Sequence, residues 1–175
     1  MKIAVTGTSS GFGRFLLNNL DNSYGVSLRD SIEDIVPKIT PADIFINQAY
    51  SKDTKQSELF YKVFNLWVDK NKTIINIGTS AIFENPNFDP IYVSNKKHLN
   101  SLARTLTMKN EYKRVRVINL NPSTLENNKI FNNTYNKLKF TNLINIINFI
   151  INLPQEVEIS DLTIRSTQKR NQSFI

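Results

Sequence analysis

Cysteine is absent from the 175-residue chain, and histidine occurs once, at His98. These absences exclude disulfide bonds, thiolate metal sites and any metal site built from several histidines. Long apolar runs are also lacking, because the longest, residues 143–153, is too short to span a bilayer and contains three asparagines. The first apolar run begins at Ile3, which leaves no room for a signal peptide. We therefore expect a soluble, cytoplasmic protein without a metal or a membrane segment.

The charge of the chain is unbalanced, with a formal net charge of +7 and a pI of about 9.6. Most lysines and arginines are scattered, and this distribution favours a solvated basic surface over a nucleic-acid site. A hydrophobic content of 40% over 175 residues is enough for one core. We therefore interpret residues 1–175 as a single domain.

A glycine-rich turn follows the first apolar run. Residues 3–5 predict a buried strand, and Gly7, Gly11 and Gly13 come directly after it. Apolar residues then recur at helical spacing over residues 15–20. Glycine lets backbone N–H groups approach a ligand closely, and the N-terminus of a helix adds partial positive charge. The turn therefore predicts a site for a diphosphate group, and the alternative is a glycine turn without a ligand.

Apolar runs typical of buried strands alternate with segments of helical spacing along the chain. The predicted strands cover residues 3–5, 26–28, 44–46, 73–77 and 115–120, with a last one within 157–164. Helices are predicted after Gly13 and over residues 31–36, 57–70, 92–108 and 143–153, and a turn over residues 21–25. This alternation indicates a parallel sheet with helices on both faces, a doubly wound α/β fold.

Tyr92 and Lys96 lie four residues apart at the start of a predicted helix, so they share one face. A nearby cation favours the phenolate, so such a tyrosine exchanges a proton nearer neutral pH. Thr79 and Ser80 follow a predicted strand, and strand ends and helix starts meet at the ligand crevice of a parallel sheet. A hydroxyl, a phenol and a lysine at that crevice can hold and protonate a carbonyl oxygen.

Six stretches, in the right order along the chain, resemble the motifs of the short-chain dehydrogenase/reductase family. They are residues 6–13 (the T-G-x-x-x-G-x-G loop), 43–50 (D-x-x-x-N-N-A-G), 75–80 (the strand with the catalytic hydroxyl), 92–96 (Y-x-x-x-K), 115–122 (the strand before a P-G turn) and 153–167 (the ending of some members). The resemblance implies a Rossmann-type sheet, an NAD or NADP cofactor, and hydride transfer between the nicotinamide and a small carbonyl or alcohol.

The resemblance also implies roles for individual residues. Tyr92 is expected to be the general acid/base, and Lys96 to hold the cofactor ribose and lower the pKa of Tyr92. Thr79 or Ser80 is expected to bind the substrate oxygen. The implied cofactor-binding positions are Gly7, Ser9, Ser10, Gly11, Phe12, Gly13, Arg29, Asn47, Gln48, Ala49, Tyr92, Lys96 and Pro122.

The choice between the two cofactors depends on the end of the second predicted strand. A carboxylate there binds the 2′-hydroxyl of the adenosine ribose, whereas an arginine accommodates a 2′-phosphate. Arg29 falls at the deciding position and Asp30 follows it. Because the chain is also basic, we predict NADP in preference to NAD.

The chain departs from the family pattern at several places. The interval from Leu28 to Ile44 is short, so we expect one strand–helix unit to be missing on the adenine side. The family's catalytic asparagine has no counterpart, because the nearest one, Asn65, is expected too far along its helix. Serine replaces glycine after Pro122, and Asn127 stands where a threonine often contacts the nicotinamide amide.

These departures keep two alternatives to an oxidoreductase open. One is a dinucleotide-binding sensor or scaffold without turnover, and the other is an NAD-dependent epimerase or dehydratase. The helices predicted over residues 57–70 and 92–108 resemble those through which the family assembles. We therefore expect a homodimer or homotetramer that acts on a small molecule.

Overall fold

The computed structural model describes residues 1–84, 89–127 and 137–166, and its framework is one parallel sheet. The strands are β1 (Ile3–Thr6), β2 (Ser23–Val26), β3 (Ile44–Asn47), β4 (Thr73–Ile77), β5 (Arg116–Pro122) and β6 (Asp161–Ile164). They lie in the order β2-β1-β3-β4-β5-β6, and every neighbouring pair is parallel. The predicted parallel sheet is therefore confirmed.

Helices cover both faces of this sheet. They are α1 (Gly11–Asn19), α2 (Ile32–Ile39), α3 (Lys55–Trp67), α4 (Ala81–Glu84), α5 (Pro90–Lys109) and α6 (Phe140–Ile151). One apolar cluster packs α1 and α6 against the sheet, and a second packs α2, α3 and α5 against the opposite face. None of the helices in the described residues is long and apolar enough to cross a membrane.

Continuous apolar strands produce this double layering because successive side chains point to opposite faces. In β3, Ile44 and Ile46 belong to the cluster beneath α1 and α6, whereas Phe45 between them packs beneath α2 and α3. A strand of alternating polar and apolar residues would instead bury one face of the sheet and leave the other face exposed to solvent. The continuous runs are therefore the reason that the fold is doubly wound.

The second strand lies earlier than the sequence predicts. We expected a turn over residues 21–25 and a strand over 26–28, but β2 pairs with β1 from Ser23 to Val26. The chain changes direction in the residues just before β2, where Asn22 adopts a left-handed φ of 56°. Inside β2, a side chain at Gly25 would collide with that of Thr8, so this glycine serves packing rather than a turn.

At one side of the sheet, where the adenine was expected, β2 is the edge strand and α2 alone connects it to β3. This arrangement agrees with the expectation that the sheet is shortened there. Ser31 caps α2, because its hydroxyl accepts from the backbone N–H of Asp34 at 3.2 Å. The helix continues through Pro37 to Ile39, beyond the predicted end at residue 36.

Candidate active site

The glycine turn after β1 forms one end of the candidate site. Gly7 and Gly11 have φ values of 75° and 55°, which L-residues with side chains rarely adopt. Gly13 packs against the turn so closely that a Cβ would collide with the carbonyl oxygen of Gly7. Because α1 begins at Gly11, its first backbone N–H groups lie beside the turn. The turn therefore has the geometry that a diphosphate needs.

Residues around this turn differ in what they can offer a ligand. Ser9 and Ser10 are exposed, and the Ser10 side chain makes no capping bond to α1. Phe12 is 2% exposed and its ring lies 5.2 Å from that of Phe140. Phe12 therefore contributes only its backbone to the turn, and its side chain belongs to the core. The Asn127 amide lies against Gly11, where a side chain would collide with it.

The exit of β3 joins the glycine turn to the rest of the site. The Thr6 hydroxyl accepts from the backbone N–H groups of Gln48 and Ala49, both at 3.0 Å. These bonds hold residues 48 and 49 against Gly7, where a Cβ would collide with the Gln48 side chain and lie unusually close to Ala49. Asn47 points elsewhere: it is fully buried and donates to the backbone oxygen of Gln56 at 3.1 Å. Its side chain is therefore not at the glycine turn.

Tyr50 continues from this exit to Tyr92. The two rings meet edge to face, with centroids 4.9 Å apart and planes at 76°. A hydrogen bond joins the side chains of Tyr92 and Thr79. Sequence reasoning left Thr79 and Ser80 as alternatives, and Thr79 is the one that meets the phenol. Ser80 begins the turn into α4, and its backbone N–H donates to the oxygen of Pro122 at 2.9 Å.

Lys96 lies one helical turn beyond Tyr92 and is 3% exposed. Its ammonium group donates to the oxygen of Ile77 at 2.7 Å and to Oε1 of Gln56 at 2.9 Å. It also lies 5.9 Å from the centroid of the Tyr92 ring and 5.8 Å from that of Tyr50. The predicted tyrosine–lysine pair is therefore brought together, with the cation beside two aromatic rings.

Burial dominates the electrostatics of this pair. It lowers the pKa of Lys96 to about 7, because water no longer solvates the charged amine. Burial also raises the pKa of Tyr92, and the hydrogen bond from Thr79 opposes this only in part. Burial therefore sets the direction of the Tyr92 pKa in the protein without a ligand, and the lowering of this pKa by Lys96 stays a prediction.

Two side chains of the site were missed by sequence reasoning. Gln56, in the first turn of α3, supplies the side-chain oxygen that accepts from Lys96, whereas Asn65 is exposed on that helix. Tyr50 replaces the glycine of the family's N-N-A-G stretch, and its buried hydroxyl has no hydrogen-bond partner among the described residues. That replacement was visible in the sequence, but only the fold brings Tyr50 to Tyr92.

The residues that bear on cofactor choice lie beyond β2. Arg29 is exposed, and the carboxylate of its neighbour Asp30 pairs with Lys38 at 2.6 Å. Lys55 donates to the backbone oxygen of Asp30 at 2.6 Å. The carboxylate next to Arg29 is therefore already paired with a cation.

These residues fit a nicotinamide dinucleotide. The left-handed glycines and the start of α1 suit its diphosphate, and exposed Ser9 and Ser10 add hydroxyl donors. Thr79, Tyr92 and Lys96 place a hydroxyl, a phenol and an amine at the far end of the β3 exit. The site therefore has groups suited to a phosphate at one end and, at the other end, groups that can hold and protonate a carbonyl oxygen.

The fold is that of short-chain dehydrogenase/reductase enzymes. No family model matches the sequence, and no curated protein sequence does either.

The fold assignment rests on solved structures. An alcohol dehydrogenase from the archaeon Thermococcus sibiricus, complexed with 5-hydroxy-NADP, has a TM-score of 0.71 at 16% identity, over 97% of this chain and 98% of that one. A serine dehydrogenase from Escherichia coli has a TM-score of 0.70 at 19% identity, over 97% and 100%. A 3-ketoacyl-(acyl-carrier-protein) reductase from Brucella melitensis, complexed with NADH, has a TM-score of 0.70 at 17% identity, over 93% and 96%.

Proposed function

We propose that this protein is an NADP- or NAD-dependent oxidoreductase that transfers a hydride between the nicotinamide and a small carbonyl or alcohol. One observation carries the proposal: the exit of β3 contacts the glycine turn through Gln48 and Ala49 and contacts Tyr92 through Tyr50. A phosphate-type turn and a proton-donating phenol therefore share one short segment. The structural neighbours complexed with NADP, NADP+ or NADH support the same cofactor class.

The proposed chemistry assigns one task to each group. The nicotinamide supplies or accepts the hydride when the cofactor is bound. Tyr92 gives a proton to the carbonyl oxygen in reduction, or takes it from the alcohol in oxidation. Thr79, which is hydrogen-bonded to Tyr92, holds that oxygen and orients the phenol. The Lys96 amine lies beside the Tyr92 ring and stabilises the negative charge that the phenol gains when it gives up its proton.

The test of this proposal is a turnover assay on the purified chain. NADPH is mixed with a panel of aldehydes, ketones and quinones, and nicotinamide absorbance is followed while binding is measured separately by fluorescence. Substrate-dependent loss of NADPH supports the proposal. The proposal would be overturned if the protein bound neither NADPH nor NADH.

A non-catalytic dinucleotide sensor is a second candidate, favoured by the surroundings of Lys96. Both polar contacts of the ammonium group among the described residues are made with the protein itself, through Ile77 and Gln56. In addition, Tyr50 occupies a position that is glycine in the family pattern. Dinucleotide binding without turnover on any substrate of the panel would select this candidate.

We propose NADP as the preferred cofactor because Arg29 is exposed beside a carboxylate that Lys38 already neutralises. Replacing Arg29 by leucine removes a charge-assisted bond to the 2′-phosphate, so the Kd for NADPH should rise about 10- to 100-fold. The Kd for NADH should change less than about twofold, because NADH lacks that phosphate.

Fluorescence titrations with both dinucleotides measure this difference. Lys109→Leu, which removes a cation from the last turn of α5, is the control for net charge. A wild-type protein that binds NADH more tightly than NADPH would contradict the proposed preference.

We also propose a homo-oligomer assembled through α3 and α5. A groove of about 310 Å³ is lined by residues of α2, α3 and α5, and both acidic and basic side chains line it, among them Glu33, Glu58 and Lys62. Tyr61, on the same surface, is 45% exposed. A second copy can therefore pair acid with base across the groove.

Sedimentation equilibrium should give a multiple of the 20.1 kDa chain mass. Tyr61→Arg should weaken the assembly, because it replaces an aromatic ring in the contact by a charged group that must lose its water there. A monomeric wild-type protein at micromolar concentration would rule out this assembly.

A further inference from the structure

A line of buried amide side chains crosses the sheet. Asn47, Asn76 and Asn119 are 0%, 0% and 2% exposed, and they occupy paired positions on β3, β4 and β5. Asp161 is paired with Asn119 on β6, so the line continues to the outer strand. Nothing in the apolar core requires four polar residues in register, because each could be replaced by a β-branched residue that fits a buried strand.

Hydrogen bonds join these side chains into one chain with a single direction. Asn47 donates to Asn76 at 3.0 Å, Asn76 donates to Asn119 at 3.3 Å, and Asn119 donates to Asp161 at 3.3 Å. At the other end, the Gln56 amide donates to the backbone oxygen of Asn47 at 2.8 Å. Asn47 also donates to the backbone oxygen of Gln56 at 3.1 Å, and each of the three asparagines donates to the next side chain toward the Asp161 carboxylate.

The two ends of the chain dictate this direction. Lys96 can only donate, so Gln56 must turn its oxygen toward the ammonium group. An ionised Asp161 can only accept, so Asn119 must turn its NH₂ group toward the carboxylate. Gln56 and Asn47 are joined through their backbone oxygens, because each side-chain amide donates to the backbone oxygen of the other. The Asn47 NH₂ group also donates to Asn76, and its Oδ1 has no partner among the described residues. Asn76 and Asn119 then each have one orientation that satisfies both neighbours, and the chain runs from a cation to an anion. Hydrogen bonds aligned in this way polarise one another, most strongly where water is excluded.

The far end of the chain reaches the surface. Asp161 has 22% of its side chain exposed and pairs with Arg104 at 2.9 Å, and the Arg104 side chain is 55% exposed. Lys96 and Arg104 both lie on α5, so this helix carries both cations that bound the chain. The titratable side chains that face Lys96 are the phenols of Tyr50 and Tyr92, and the described contacts bring no carboxylate to its amine.

We propose that Asp161, acting through Asn119, Asn76, Asn47 and Gln56, positions the Lys96 amine and stabilises its charge beside Tyr92. This inference deepens the function proposed above, since it concerns the amine of that site. Asp161 and the asparagines are positioning residues, because each acts on Lys96 only through the next amide. The negative end of the chain supplies the counter-charge that the apolar surroundings of Lys96 lack.

The test follows the titration of Lys96 itself and needs no turnover. The chain is labelled with [13Cε]lysine, Lys96 is assigned by its loss in Lys96→Met, and its NMR titration midpoint is measured in each variant. Asp161→Asn should lower the midpoint by at least about 0.5 pH unit, because the counter-charge is lost. Arg104→Gln should raise it, because the carboxylate is no longer neutralised at the surface. Both changes are near the surface, so both variants should fold.

A third variant separates the hydrogen-bonded chain from a direct effect of charge. Asn76→Leu keeps Asp161 but interrupts the chain, and it should lower the midpoint by at least about 0.3 pH unit. Its matched control is Asn121→Leu, which breaks the buried Asn100–Asn121 hydrogen bond of 3.2 Å outside the chain. The control should lose stability without moving the midpoint.

An unchanged midpoint in Asp161→Asn and Arg104→Gln would overturn the proposal. A shift in those two variants without a shift in folded Asn76→Leu would also overturn it, because the charge would then act through space. Should Asn76→Leu fail to fold, Asn119→Leu interrupts the same chain one strand further out. If the protein shows no turnover at all but these shifts of the Lys96 midpoint occur, the oxidoreductase proposal fails and this inference stands.

Discussion

Tyr92→Phe should reduce kcat/KM for NADPH-dependent carbonyl reduction about 10²- to 10⁴-fold, the usual contribution of a positioned proton donor. The substitution removes only the hydroxyl, so the ring can keep its edge-to-face contact with Tyr50. Dinucleotide affinity should therefore stay within about twofold of wild type. The measurement is steady-state turnover on the best substrate of the panel, together with a fluorescence titration of NADPH.

Two further variants show whether the loss comes from proton transfer. Tyr112→Phe removes a phenol that is 93% exposed and outside the site, and it should leave turnover unchanged. Thr79→Val removes the hydroxyl bonded to Tyr92 and should lower kcat while preserving dinucleotide binding. Turnover that survives Tyr92→Phe would contradict the assignment of Tyr92 as the acid/base.

Local motifs could be predicted from the sequence because their residues are close together in the chain. The glycine turn after β1 and the pairing of Tyr92 with Lys96 depend only on a short turn and one turn of helix. The buried strands also follow from continuous apolar runs, and β4 begins and ends where predicted. These features need no knowledge of how one strand lies against another.

Other features depend on contacts between distant segments, and these the sequence could not specify. The boundaries of β2 are set by its register with β1. The turn residues before it therefore led to a predicted strand over 26–28 instead of Ser23–Val26. Gln56 reaches Lys96 only because α3 packs against α5, 40 residues later in the chain. The asparagine line exists only when β3, β4 and β5 are in register, and a shift by one residue would point each amide to the other face.

The pKa of Lys96 makes the stability of the protein depend on pH in a defined direction. Between about pH 7 and the ordinary lysine value of 10.5, the folded protein holds Lys96 neutral while the unfolded chain keeps it charged. The unfolded state then binds more protons, so the free energy of unfolding rises with pH across this window. Below about pH 7 both states are charged, and the folded state bears the full cost of a buried cation.

Lys96→Met should remove this dependence. The gap between 10.5 and about 7 corresponds to about 5 kcal/mol at about 1.4 kcal/mol per pH unit. Between pH 6.5 and 9.5, wild type should therefore gain about 3 kcal/mol of stability relative to the variant. Urea denaturation of both proteins at both pH values, without dinucleotide, measures how much the free energy of unfolding changes with pH in each of them.

The adjacent residue supplies the control. Lys97 is exposed on the same helix, so Lys97→Met removes the same formal charge without removing a buried amine. Its stability should follow that of wild type across the same pH range. If the free energy of unfolding of wild type rises with pH no more than that of Lys96→Met, then Lys96 keeps its charge in the folded state. The amine beside Tyr92 would then act as a fixed cation rather than as a group that titrates near neutral pH.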